Sequence, residues 1–153
     1  MPRTIGVISD THGLLRPEVL QIFSGVDLII HSGDIGNPDI LEELKKIAKV
    51  EAIKGNVDKD IWSDELPDTH MFEFENKRFY LIHNLDQLDL DPKAAGIDFV
   101  VSGHSHEPKL FEKENVVYLN PGSAGTRRFK LPVTVALIRL NDKIEYEIIT
   151  IDN

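Results

Sequence analysis

Two β-sheets with helices outside them are the architecture expected of this chain, on three observations. Residues 5–8, 28–30 and 99–101 are short apolar runs with β-branched residues and no polar alternation, the pattern of strands buried on both faces, and are expected together in one parallel sheet. Between the early runs, apolar residues recur at near-helical spacing. The later chain alternates in polarity around turn-forming residues, which predicts antiparallel hairpins.

Taken in order, residues 5–8 form the first strand and 17–23, opening on Pro17, a short helix. Residues 28–30 form the next strand. Asn37 and Pro38 suit the N-cap and first turn of a second helix. Asp39 favours its positive end, and Ile40, Leu41, Leu44, Ile47 and Ala48 share one face. Residues 50–54 then complete a β-α-β-α-β unit. Residues 71–75 and 78–82 read as a hairpin turning at Asn76-Lys77, and further strands are expected at 109–113, 116–119, 133–140 and 143–151. Asn141-Asp142 suits a two-residue turn between the last two. No repeat or linker divides the chain, so one domain over residues 1–153 is expected, with 58–68 its longest unpatterned connection.

A chain of 153 residues with 41% apolar content can bury a core without a metal or disulfide to hold it. Its 26 acidic residues outnumber 17 basic ones, and the net charge of -9 disfavours long nucleic acid, which is bound by clustered Lys and Arg. A small phosphorylated ligand is compatible with it, and so is a homo-oligomer. Cysteine is absent, which excludes disulfides, thiolate zinc sites and cysteine nucleophiles. With no recognisable signal peptide or membrane span, a cytoplasmic setting is expected.

Several strands end in glycine followed by a potential metal ligand: Gly33-Asp34, Gly55-Asn56 and Gly103-His104. Asp10-Thr11-His12 and His104-Ser105-His106 supply closely spaced pairs, and His83 follows an apolar strand. In extended backbone, residues i and i+2 project to one side, about 6.5 Å apart, so each pair is expected to face one shared space. Strand carboxyl ends are where open α/β sheets bind ligands. Two Asp, one Asn and four His suit Mn²⁺, Fe or Zn²⁺ better than Ca²⁺. Seven ligands exceed one tetrahedral site; two ions sharing a carboxylate would use them all.

Asp10-x-His12, Gly33-Asp34, Gly55-Asn56-x-Asp58, His83 and Gly103-His104-x-His106 together resemble the calcineurin-like metallophosphoesterases. Asn120-Pro121-Gly122-Ser123 is similar to the small YfcE-like phosphodiesterase branch. The resemblance implies a four-layer αββα sandwich of two mixed sheets flanked by helices. It implies one divalent ion on Asp10, His12, Asp34 and His106 and another on Asp34, Asn56, His83 and His104. Mn²⁺ is favoured, with Fe, Ni²⁺ or Zn²⁺ as alternatives. It further implies hydrolysis of a small phosphodiester or nucleotide-like ester by a metal-bridging hydroxide, with Asn56 and His104 as the catalytic side chains. The other class open to this fold is a non-catalytic scaffold, as in the retromer subunit; retention of all seven ligand positions favours the enzyme.

Two positions depart from the family. His83 is usually followed by Gly, here Asn84, and many relatives carry a proton-donating His where this chain has Val57. Asp58 is read as orienting Asn56 or a metal-bound water, or else as capping a turn. Arg127, the neighbouring Arg128, or the amides of the Gly122-Ser123 turn are candidates to hold phosphate; a solvated surface pair is the other reading of the arginines. His31 either supports a ligand or is a core histidine, His70 is structural, and Trp62 anchors its loop. No Gly-x-x-x-x-Gly-Lys-Ser/Thr loop, paired-aspartate phosphatase motif or Gly-x-Ser-x-Gly elbow is present.

Overall fold

The computed structural model describes residues 2–128 and 130–152. Its first third is β1 (Arg3–Ile8), α1 (Pro17–Ile22), β2 (Leu28–His31), α2 (Pro38–Lys45) and β3 (Lys49–Ala52). Asn37 caps α2 as expected, its side-chain oxygen accepting from the Asp39 amide at 2.8 Å. β3 stops short of Lys54, whose amide leaves the sheet and donates to the Pro67 carbonyl at 3.0 Å. There follow β4 (Thr69–Phe74), β5 (Lys77–Ile82), β6 (Phe99–Val101), β7 (Lys109–Lys113), β8 (Val116–Asn120), β9 (Val133–Leu140) and β10 (Ile144–Asp152).

The strands form two mixed five-stranded sheets, ordered β10-β9-β1-β2-β3 and β4-β5-β6-β8-β7. In the first, β1, β2 and β3 run parallel and β9 and β10 add an antiparallel side; the second has a parallel centre, β5-β6-β8, and antiparallel strands at both edges. Residues 99–101 therefore belong to the second sheet, beside β5 and β8, and not with β1 and β2 as expected. Burial on both faces identifies a central strand but cannot say of which sheet. The hairpin from β4 to β5 turns one residue early, at Glu75-Asn76 (φ 52° and 65°), and β7 to β8 turns alike at Glu114-Asn115. Leu140 pairs with Ile144, so the last loop has three residues, 141–143, where two were expected.

Between the sheets lies the main core: Ile5, Val7, Leu28 and Ile30 meet Phe79, Leu81, Phe99 and Val101. Phe79 and Phe99 stack with centroids 4.6 Å apart. Each such side chain contributes about 1.5–3 kcal/mol on burial. On the outer face of the first sheet, α1 and α2 bring Val19, Ile40, Leu41 and Leu44 against Ile8 and Ile29, together with Phe23 just after α1. Phe23 lies against Gly6, where a methyl would come within 2.8 Å of its ring. The outer face of the second sheet is covered by the chain around Leu85, Leu88, Leu90 and Ile97, including a 3-10 turn at Leu85–Gln87. The αββα order thus holds with its last layer built of turns. Among the described residues no helix is long and apolar enough to cross a membrane.

Candidate metal centre

The loops after β1, β2, β3, β5 and β6 meet at one rim, where the carboxyl ends of these strands gather. The first two are zipped together: Asp10 N donates to the Gly33 carbonyl (2.9 Å), His12 N to Asp34 (2.9 Å) and Gly13 N to Ile35 (2.8 Å). Gly103 N donates to the His83 carbonyl at 2.9 Å, which ties the loops after β5 and β6. Asp10, His12, Asp34, His104 and His106 all have positive φ, from 47° to 72°. The two close pairs therefore converge through left-handed loop residues and not along extended strands as the spacing suggested. Asp and His tolerate this conformation better than most residues, but each costs about 1–3 kcal/mol, and such strain clusters at functional sites.

Six of the seven expected ligands fall into two groups, Asp10 with His12 and His106, and Asp34 with His83 and His104; within each group the ligand atoms lie within 4.8 Å of one another. Asp10 is fully buried. Its Oδ2 accepts from Ser9 Oγ (2.7 Å) and the His104 amide (3.1 Å). Its Oδ1 is buried without a hydrogen-bond partner, yet three ring nitrogens surround it: Nε2 of His106 at 3.4 Å, of His12 at 3.7 Å and of His83 at 3.8 Å. Asp34 Oδ1 accepts from the Val57 amide (3.0 Å), while Oδ2 faces His83 Nε2 at 3.0 Å and His12 Nε2 at 3.7 Å. Asp34 thus touches both groups.

His83 Nδ1 lies 2.8 Å from the Ser32 carbonyl and must donate to it, which leaves Nε2 as the inward nitrogen, buried and without a hydrogen-bond partner. Nε2 of His12 and of His106 approach to 3.3 Å. A cluster of lone pairs and carboxylates this close calls for positive charge, supplied by protons or by cations. The protonation equilibria follow the same pattern. The close Asp10 carboxylate raises the pKa of His12 against burial, with Asp34 adding to the rise. Burial opposes a charged His83, but the facing Asp34 carboxylate and the charge of Asp10 raise it overall. Burial likewise opposes ionised Asp34, yet the facing His83 ring and the hydrogen bond from the Val57 amide hold it down at about 2. His106 is lowered, by burial first. The orphaned Asp10 Oδ1 and His83 Nε2, with an oxygen and imidazole donor set, fit a pair of divalent cations.

Asn56 is exposed on the turn after β3 and lines the same cleft as His83. Asp58, 4% exposed, accepts from three amides: Ile35 (3.0 Å), Gly36 (2.9 Å) and Gly55 (3.0 Å). Its carboxylate locks the Asp34 loop to the Asn56 loop, so it caps backbone across two turns. At the Gly122-Ser123 turn the Gly122 amide is engaged within the protein, on Asn120 Oδ1 (2.9 Å), as is the following Ala124 amide, on the Ser9 carbonyl (3.0 Å). It braces the site instead, Ser123 Oγ donating to the Asp10 carbonyl (3.0 Å) and Asn120 Nδ2 to Gly103 O (2.9 Å). Arg127 and Arg128 line a cavity with His12 and His106. His31 is fully buried; it accepts from the Gly33 amide (3.2 Å) and contacts Thr11 Oγ1 (3.0 Å), bracing neighbours of the ligands and not the ligands themselves. His70 pairs with Glu51, and Trp62 packs on the helix-side core.

Sequence reasoning did not single out Ser9 or Ser32, whose hydroxyl and carbonyl hold Asp10 and His83. Their only signal was adjacency to the ligand pairs. The glycines were legible, and the structure shows their steric reason: a methyl at Gly103 would lie 2.6 Å from Asp10 Oδ2, and one at Gly33 2.7 Å from His83 Nδ1.

Residues 4–143 match the calcineurin-like phosphoesterase superfamily domain. A probable metallophosphoesterase of Methanothermobacter thermautotrophicus is 41% identical, covering 95% of this chain and 91% of its own length. Phosphodiesterase YfcE of Escherichia coli is 28% identical, over 88% and 91% of the two chains. A solved archaeal phosphodiesterase superposes with a TM-score of 0.83 at 26% identity, covering 97% of this chain and 99% of that one. Vps29 of Cryptosporidium parvum superposes with a TM-score of 0.78 at 18% identity, over 99% of each chain, which shows a shared fold alone. With the family match spanning most of the chain and all seven candidate ligands present at the strand ends, the chain belongs to the calcineurin-like phosphoesterase superfamily and is a metallophosphoesterase.

Proposed function

We propose that the chain hydrolyses small phosphodiesters with two divalent ions. The observation that carries this reading is the buried, unpartnered Asp10 Oδ1 ringed by three imidazole nitrogens, with Asp34 facing the same rings. Asp10, His12, Asp34 and His106 would hold one ion and Asp34, Asn56, His83 and His104 the other. When bound, such a pair activates water at neutral pH and offsets charge on the phosphoryl oxygens.

The chain's own groups do the rest. The loops zipped by backbone bonds keep the ligands fixed before substrate arrives, so little reorganisation is needed at the reacting centre. Asn56 can donate an amide N–H to a phosphoryl oxygen, and His104 is exposed, open to an arriving substrate. Arg127 and Arg128, beside His12 and His106, offer planar guanidinium donors to the anion. Val57, 52% exposed, carries no proton for the departing alkoxide, so this position favours good leaving groups.

The test is hydrolysis of bis(p-nitrophenyl) phosphate with Mn²⁺, the first ion to try, and with Fe²⁺, Ni²⁺ and Zn²⁺. Turnover abolished by chelator supports the reading. Absence of turnover with every ion would favour the second reading, a non-catalytic scaffold, for which the Vps29 likeness offers fold alone.

A further inference from the structure

The rim of the site is electrically lopsided. On the side of His12 and His106 the cavity is bordered by Arg127 and Arg128. On the side of Asn56 and His83 a cleft of about 440 Å³ is bordered by Lys54, Asp68, Thr69, Gln87 and Asp89. The single cation of that cleft is largely answered already, Lys54 Nζ lying 3.9 Å from Asp68 Oδ1, and Asp89 adds a further negative charge. A diester lying across the site therefore meets guanidinium groups at one end and carboxylates at the other, and the sign of charge sets which way round it lies.

The chemistry of the cleft narrows what it can take. Its walls offer a hydroxyl at Thr69, amides at Asn84 and Gln87, and carboxylates at Asp68 and Asp89. Tyr80 is the aromatic residue of the lining and is 7% exposed, so little ring face is open for stacking. Asn84 has its Oδ1 engaged by the Asp86 amide at 3.1 Å, which leaves its N–H groups for a ligand. Carboxylates accept hydrogen bonds from hydroxyls and repel anions, and the cleft volume is in the range of small-molecule sites.

We infer that this cleft receives an uncharged, polyhydroxylated arm of the phosphodiester, a glycosyl or polyol group, and discriminates against an arm that carries a second anionic group. The inference rests on the phosphodiesterase reading and names the substrate class for the same site.

Three diesters sharing a p-nitrophenyl leaving group test it with the Mn²⁺-loaded protein. Their second arms are a methyl riboside joined through its 5-hydroxyl, the same riboside bearing a further phosphate, and phenyl. The riboside is expected to exceed both others in kcat/KM by about tenfold or more, a factor worth about 1.4 kcal/mol. The double variant Asp68→Asn with Asp89→Asn should recover the phosphorylated arm by about tenfold, through KM. Calorimetry on the wild-type protein gives a readout that depends on neither turnover nor the variant: ribose 5-phosphate should bind more tightly than phenyl phosphate. A phenyl arm equal to or better than the riboside, or an unchanged discrimination in a folded double variant, overturns the inference while turnover of bis(p-nitrophenyl) phosphate keeps the hydrolase reading. No turnover of any diester overturns both.

Discussion

Asp34 Oδ2 stands 3.0 Å from His83 Nε2, although the two residues come from different sheets. The opposite nitrogen of that ring is turned away onto the Ser32 carbonyl, beside Gly33-Asp34 itself. One loop after β2 thus both orients the imidazole and presents the carboxylate that faces it. His12 Nε2 approaches the same oxygen at 3.7 Å. This makes Asp34 the hinge of the candidate metal centre.

Replacing Asp34 with Ala should therefore remove binding at both ion positions, where replacing a ligand of one group should spare the other. Activity on an aryl diester is expected to fall more than about 100-fold, since even groups that only support metal ligands cost 10–100-fold. Counting bound Mn²⁺ by elemental analysis checks the distinction. Metal should also raise the melting temperature of the wild-type protein, by about 2.7 kcal/mol of stability at a hundredfold excess over Kd. A shift of the same size in Asp34→Ala would remove Asp34 from the centre.

Val57 predicts a narrow leaving-group range. Activated aryl diesters should be cleaved far faster than alkyl diesters, because no acid stands at this position to protonate an alkoxide. The Val57 backbone amide, not its side chain, holds Asp34, so Val57→His keeps that contact. The variant should raise alkyl diester cleavage by about 10²-fold, the lower range for a placed general acid, and aryl cleavage little. Equal wild-type rates on aryl and alkyl diesters at matched metal loading would contradict the assignment.

Asp58→Ala should act first on stability. Three amides, that of buried Ile35 among them, lose a charged acceptor, each bond being worth about 1.5–3 kcal/mol. Urea unfolding of the metal-free variant is expected to show a loss of at least about 3 kcal/mol. Full stability with activity alone reduced would mean that the carboxylate serves chemistry and not the two loops.

His31 links stability to pH. Burial lowers its pKa from 6.5 to about 4, so the unfolded chain binds a proton that the folded one refuses. Its contribution is complete above about pH 6.5 and is lost as pH falls toward 4. At pH 5 the deficit is about 2 kcal/mol. His31→Gln cannot titrate, so the wild-type protein should lose that much more stability than the variant between pH 7 and pH 5, measured by urea unfolding of the metal-free forms. Parallel losses would show His31 to be free to ionise in the fold.

Much of this was written locally along the chain. Apolar runs located the central strands, and Asn37-Pro38 located the start of α2, because strand burial and helix capping depend on neighbours close in sequence. Glycine followed by a ligand marked the loops, because only a missing Cβ lets Asp10 and His83 approach them. What misled was assigning geometry from the same local pattern. Residues 99–101 entered the wrong sheet, and Asp10-x-His12 was read as extended although both residues are left-handed.

By itself, then, the sequence determined which side chains are available as ligands, their order, and their place at strand ends. Only the tertiary structure decided how they converge. Left-handed turns at five ligand positions are unfavourable alone and persist because distant partners hold them, Gly33 and Asp34 bonding the Asp10 loop and Asn120 the His104 loop. It also decided that Asp58 and the Gly122 turn brace backbone, and that arginines border the cavity at His12 and carboxylates the cleft at His83. Those relationships join residues far apart in the chain, and no local periodicity carries them.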